Sequence, residues 1–111
     1  MDLSELQQRR DTWVSYNFPG QDMPHSLLGA VEELGELSHH YLKMKQGIRG
    51  TDVMHRDEMA DAVADCVIYL AGVASYLGLD YGQLVTETWK RVEMRDWVKY
   101  PKTGMPAEER V

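Results

Sequence analysis

From residue 59 to about residue 79 the chain reads as one helix that is apolar on nearly every side, and this stretch restricts the fold more than any other. A helix without a polar face has to be covered all round. Three other short helical segments are all that a chain of 111 residues offers for this, so a second copy is expected to supply the remainder. The expected architecture is all-α: a four-helix-type bundle completed by dimerisation. Two carboxylates sit inside the apolar run, in "DEMADAVADCVIYL", where Asp61 adjoins Ala-Val-Ala and Asp65 adjoins Cys-Val-Ile. Burying an ionised carboxylate is expensive unless something cationic neutralises it.

The remaining helices are legible from spacing and punctuation. Leu3, Leu6, Trp13 and Val14 keep helical intervals over residues 3–16, with Ser4 and Gln7 resembling a capping box, and "NFPGQDMP" forms a loop. A second helix starts near Pro24 and carries a stripe of Leu27, Leu28, Val31, Leu34 and Tyr41, ending with Lys43, Lys45 and Gly47. The connection "QGIRGTDVMH" is a loop, and the third helix covers residues 55–77 before Gly78. A fourth helix opens at Asp80 with Gln83 and runs to about residue 98. Residues 1–111 make a single domain whose last part, 99–111, is expected to be an extended tail.

Composition narrows the function classes. A formal charge of −6 argues against a groove for duplex nucleic acid, which needs a basic stripe. The polar N-terminus carries no signal-like apolar segment, and the near-apolar run at 66–79 is too short to span a bilayer. The lone Cys66, set among Val and Ile, is a small core residue in a reducing compartment. A soluble, cytoplasmic protein with no membrane or nucleic-acid partner is the expectation.

The acidic pattern points to metal chemistry. At about 100° per residue, Glu58 and Asp61 lie about 60° apart, and Asp65 projects between them. The second helix repeats the arrangement in "VEELGEL", with Glu33 and Glu36 at i, i+3, Glu32 beside them, and Gly35 available for a close approach. Where two such faces meet, side-by-side ionised carboxylates require cations. Hard divalent ions, Mg²⁺ or Mn²⁺, suit all-oxygen sites without Cys or obligatory His. Glu36-Leu-Ser-His39 offers one step of a di-iron pattern, and Asp52-Val-Met-His55 a related spacing in a loop; a di-iron site is the weaker reading, and His39, His40 and His55 are expected on the surface.

In order along the chain, Glu33-x-x-Glu36, twenty-one residues, then Glu58-x-x-Asp61 resembles the E-x-x-E…E-x-x-D signature of the MazG-like, all-α nucleoside triphosphate pyrophosphohydrolases. The resemblance extends over "LLGAVEELGEL", "DAVADCVIYLAGVASYLGLD" and "TWKRVEMRDWVKYPKTG", from about residue 13 to residue 104. It implies a dimer or tetramer that uses Mg²⁺ to hydrolyse an NTP or dNTP to the monophosphate and pyrophosphate, with Glu33, Glu36, Glu58 and Asp61 as metal ligands. One departure stands out. Many relatives follow E-x-x-D directly with an apolar run, whereas here that run follows Asp65, and position 62 is Ala. Two registers therefore compete, Glu58 with Asp61 or Asp61 with Asp65, and all three are candidate ligands.

Phosphoanhydride hydrolysis needs neutralised phosphates and an oriented water. Glu33 or Glu36 is the candidate proton acceptor. Lys90, Arg91 and Arg95 on the fourth helix are candidate phosphate contacts, with Arg91 and Arg95 at i, i+4 and Arg95 at the place the resemblance assigns to a basic residue. Trp13, His25, Tyr69 and Trp89 are candidates for holding a base, although for Trp13 and Trp89 a place in the core is the favoured reading. Specialised substrates such as dUTP, dCTP or phosphoribosyl-ATP are variants of this reading. A catalytically silent, metal-stabilised helical interaction module is the alternative.

Overall fold

An aspartate starts the first helix and a left-handed glycine ends the second, so polar caps mark out the elements more sharply than hydrophobic spacing does. The computed structural model describes residues 1–107, and every regular element among them is helical: α1 (Leu3–Asn17), α2 (Met23–Gln46), α3 (Asp52–Tyr76) and α4 (Tyr81–Glu93). Asp2, not Ser4, caps α1: its Oδ1 accepts the Glu5 N–H at 2.8 Å, while the Ser4 hydroxyl donates to Asp80 at 2.6 Å. Asp22 caps α2 in a box with His25, and Thr51 caps α3 by accepting the Met54 N–H at 3.1 Å. That last cap places Asp52 to His55 in a helix, where the sequence suggested a loop. Gly47 and Gly78 take left-handed φ values of 69° and 73°, which end α2 and the turn after α3 as expected of glycine there.

The chain divides into two compact units, Met1–Tyr81 and the part from Gly82 onward. In the first, α2 and α3 form an antiparallel hairpin, since His40 meets His55, Ala30 meets Cys66 and Gly29 meets Tyr69. The seam is built from small and polar residues, with Ser26, Ala30, His55, Ala62 and Gly72 buried. This corrects the sequence reading of α2. Leu27, Leu28, Val31, Leu34 and Tyr41 all face outward and are exposed, Leu28 at 66%. Small side chains let two helix backbones approach closely, so they win the seam, and the large apolar stripe is left for another surface. For the same reason α3 is not enclosed by its own chain; Val63 is 52% exposed, and Leu70 is also open. Against the expectation of a run too short to span a bilayer, α3 has 25 residues and contains an 18-residue window of mean hydropathy 1.3, enough by length and composition alone to cross a membrane.

Helix α1 runs antiparallel to the end of α3 and is pinned there by Gln7. The buried Gln7 amide donates to the Ser75 hydroxyl (3.0 Å) and the Leu79 carbonyl (2.8 Å), and accepts the Tyr81 N–H (2.9 Å). A small core of Ala71, Ala74 and Tyr81, with Leu3 and Val67 against it, lies under this contact. At the other end of the hairpin, His55 is 1% exposed and fully hydrogen-bonded, to the Ile48 carbonyl and to His40, each at 3.0 Å. It is an internal strut rather than a surface residue.

The second unit contains most of α4, whose Leu84, Val85, Thr88, Trp89 and Val92 line a shallow hollow of about 250 Å³. Trp89 thus belongs to an open apolar stripe and not to a core. The helix stops at Glu93, short of the expected residue 98, because the Asp96 carboxylate accepts the Val98 and Lys99 N–H groups and winds a new turn. Beyond it the chain is not extended as far as residue 107: Asp96 N–H bonds to Gly104 O at 2.8 Å and Gly104 N–H to Tyr100 O at 2.7 Å. The rest of the expected tail, residues 108–111, lies outside the described residues.

Candidate functional site: an acidic cleft on the helical hairpin

Glu33 on α2 faces Asp65 on α3 across the seam, and both are half-buried. The Glu33 carboxyl is held above the ordinary carboxylate range, first by burial and then by repulsion from Glu36, Asp65 and Glu32, with a hydrogen bond between Glu33 and Glu36 adding to it. A raised carboxyl among like charges is what an incompletely neutralised acidic cluster produces. Of the five expected ligands, Glu33 and Asp65 line one cleft, and Glu36, exposed one turn along α2, is near enough to act on Glu33 without lining it. Glu58 and Asp61 are exposed on α3 and are not among the groups that act on Glu33. Asp65, one turn beyond Asp61, occupies the inward edge because a helix puts residues 62, 65, 66 and 69 toward one neighbour.

Among the described residues, no three His, Cys, Asp or Glu side chains are arranged to grip an ion as they stand. The donor set nevertheless suits a hard cation: it is all oxygen, and Glu33's raised proton affinity is a mark of charge that a cation would relieve.

A cleft of about 250 Å³ opens beside this acidic pair. Its walls are aromatic and aliphatic, with Trp13, Val14 and Phe18 on one side and Ile68 and Tyr69 on the other, while Arg10 and Gln21 add polar groups. Two of the expected base-holding residues, Trp13 and Tyr69, thus share one cavity with two of the expected metal ligands. Trp13 is 57% exposed and meets Phe18 edge-on at 5.6 Å, so it stands as a wall of the cleft and not in a core. Tyr69 lies flat across α2 because position 29 is glycine; a Cβ there would strike its ring.

Arg10 is the residue that sequence reasoning missed. Its side chain is only 9% exposed, with Nη1 donating to Asp11 at 3.2 Å and Nη2 to the Ser26 hydroxyl at 3.0 Å. The guanidinium crosses α3 at Gly72, where any Cβ would collide with it. It forms a wall shared by the cleft and a second, polar hollow of about 290 Å³ lined by Asp11, Asp22, Ser26 and Ser75. A signal was available: residue 10 falls on the apolar stripe of α1, seven after Leu3 and three before Trp13.

The other expected contacts lie elsewhere. The exposed His25 is engaged in the α2 cap, Nδ1 to Asp22 Oδ1 at 2.8 Å, and that contact holds the Asp22 carboxyl below its usual range. Lys90, Arg91 and Arg95 belong to the second unit. Arg91 reaches Thr88 at 3.5 Å, and Arg95 falls beyond the end of α4, so the two do not form the helical pair expected of i, i+4 spacing. No protein-family model, curated protein or solved structure matches the chain.

Proposed function

We propose that the chain is a Mg²⁺-dependent nucleoside triphosphate pyrophosphohydrolase of the MazG-like kind, releasing pyrophosphate from an NTP or dNTP. The observation that carries this reading is a single one: Glu33 and Asp65 line the same cleft as Trp13 and Tyr69. Acidic groups beside an aromatic slot are what a nucleotide with a metal-bound phosphate chain requires. Glu33, Glu36 and Asp65 would hold the ion, with Mn²⁺ as a substitute and Asp61 and Glu58 as outer ligands. Bound there, the ion would neutralise phosphate charge and acidify a water. Trp13 and Tyr69 stack the base, and whichever of Glu33 and Glu36 is left free of the ion accepts the water proton.

The working form is a homodimer, or a tetramer built from it, in the cytoplasm. The outward stripe of Leu27, Leu28, Val31 and Leu34, with Val63 and Leu70 on α3, is the surface a second copy would cover to complete the bundle. A membrane is a poorer cover for α3, because an aspartate near the bilayer centre costs about 2.5–3.5 kcal/mol and this helix has two within its apolar run. The same open face would serve a non-catalytic interaction module, which is the reading that remains if nothing is turned over.

The deciding experiment measures pyrophosphate released from all common NTPs and dNTPs, with Mg²⁺ and with chelator. Turnover that requires Mg²⁺ and disappears in Glu33→Ala, Glu36→Ala and Asp65→Ala is expected, with Asp61→Ala and Glu58→Ala reporting on the outer positions. Unchanged turnover in the first three variants would remove the site, and no pyrophosphate from any substrate would remove the activity.

A further inference from the structure

Resting on that reading, we infer that Arg10 reads the far edge of the substrate's base and selects nucleotides whose base presents carbonyl acceptors there, uracil, thymine or guanine, over cytosine and adenine. The placement follows from the hairpin. Ser26 precedes Glu33 by seven residues and Gly72 follows Asp65 by seven, so the Arg10 head, resting on Ser26 and Gly72, lies two turns, about 10 Å, from the acidic pair. Tyr69 occupies the turn between them, beside Gly29. A nucleotide with its phosphates at Glu33 and Asp65 and its base on Tyr69 therefore directs the base's outer edge at the guanidinium.

The guanidinium is suited to reading rather than to bulk attraction. It is held from two directions, by Asp11 and by Ser26, and Asp11 is itself fixed by the Ser75 hydroxyl at 2.5 Å. Two of its five N–H groups are used in this way, and the other three remain as donors in a rigid fork. A fork that can only donate pairs with O4 of uracil or thymine, or with both O6 and N7 of guanine, whereas cytosine and adenine put an amino donor in place of that carbonyl and leave only the neighbouring ring nitrogens to accept. Burial sharpens the choice, since a base that sets an amino group against the fork leaves part of it without either an acceptor or water. Gln21, at the rim of the same cleft, has an amide with no partner among the described side chains and is placed to help. Its amide serves donors and acceptors alike, so the discrimination falls to Arg10.

The test compares kcat/KM for UTP, TTP and GTP with that for CTP and ATP in wild type, Arg10→Gln, Arg10→Lys and Ser26→Ala, together with equilibrium dialysis of UMP, GMP, CMP and AMP. Wild type is expected to favour the carbonyl bases by about tenfold or more, in turnover and in dialysis. Arg10→Gln and Arg10→Lys should flatten that ratio, and Ser26→Ala should weaken it, while circular dichroism confirms the fold. A purely structural role for Arg10 predicts a uniform loss with the ratio intact, and that outcome overturns the inference while leaving the hydrolase standing. Equal use of all bases by wild type does the same. If nothing is hydrolysed, the activity fails but dialysis still decides Arg10: selective binding of UMP and GMP that Arg10→Gln abolishes supports it, and no selective binding overturns it.

Discussion

Replacing Gly29 with alanine should destabilise the protein only because Tyr69 is in the way. The added Cβ would fall on the ring atoms Cδ1, Cε1 and Cζ, closer than side chains tolerate, so the ring must swing out of the cleft. Crowding of this kind costs about 1–3 kcal/mol. Against it stands the helix preference of alanine over glycine, about 1 kcal/mol in a helix interior. The net expectation for Gly29→Ala is a loss of about 0–2 kcal/mol. In a Tyr69→Ala background nothing remains to collide with, and the same change should stabilise by about 1 kcal/mol. The coupling between the two positions is then about 1–3 kcal/mol, well above the few tenths expected of independent sites. Urea unfolding of the four proteins, at one fixed protein concentration because association shifts apparent stability, measures it. If Gly29→Ala has the same effect with and without the Tyr69 ring, the account of how the cleft is built is wrong.

Three further outcomes follow from the same geometry. Glu33 binds its proton more tightly folded than unfolded, so metal-free protein loses stability as pH rises from the ordinary glutamate range through Glu33's raised value; Glu33→Gln should be the more stable protein above that window and converge with wild type in acid, and parallel urea midpoints across pH would count against the acidic cluster. His55→Ala removes a buried ring with two hydrogen bonds and should cost about 2–4 kcal/mol by denaturant unfolding, whereas His39→Ala, on an exposed position, should change stability by less than about 0.5 kcal/mol. Leu28→Glu with Val31→Glu places charge on the open stripe and should shift sedimentation from dimer to monomer; a wild-type chain that already sediments as a monomer refutes the proposed assembly.

Helix number and type were legible because they depend on local signals: apolar intervals, proline in a first turn, and the glycines at 47 and 78. The caps were less so. Asp2 was overlooked in favour of Ser4, since an acceptor two positions earlier makes the equivalent hydrogen bond to the residue three beyond it, and only backbone geometry distinguishes them. The end of α4 was missed for a similar reason, as Asp96 takes up the Val98 and Lys99 N–H groups in competition with the helix.

For the site, the sequence determined which carboxylates and aromatics are present and that Glu33 and Glu36 share a helix edge. It did not determine which face of α2 turns inward, because a leucine stripe and a small-residue stripe both satisfy helical periodicity. The tertiary structure chose the small residues, since helices bearing them can approach closely, and that rotation placed Glu33 opposite Asp65, laid Tyr69 over Gly29 and threaded Arg10 past Gly72. Glycine at 29 and 72 looks like weakened helix when read locally. Only the neighbour that fills the missing Cβ gives each its meaning, and that neighbour lies about forty residues or more away along the chain.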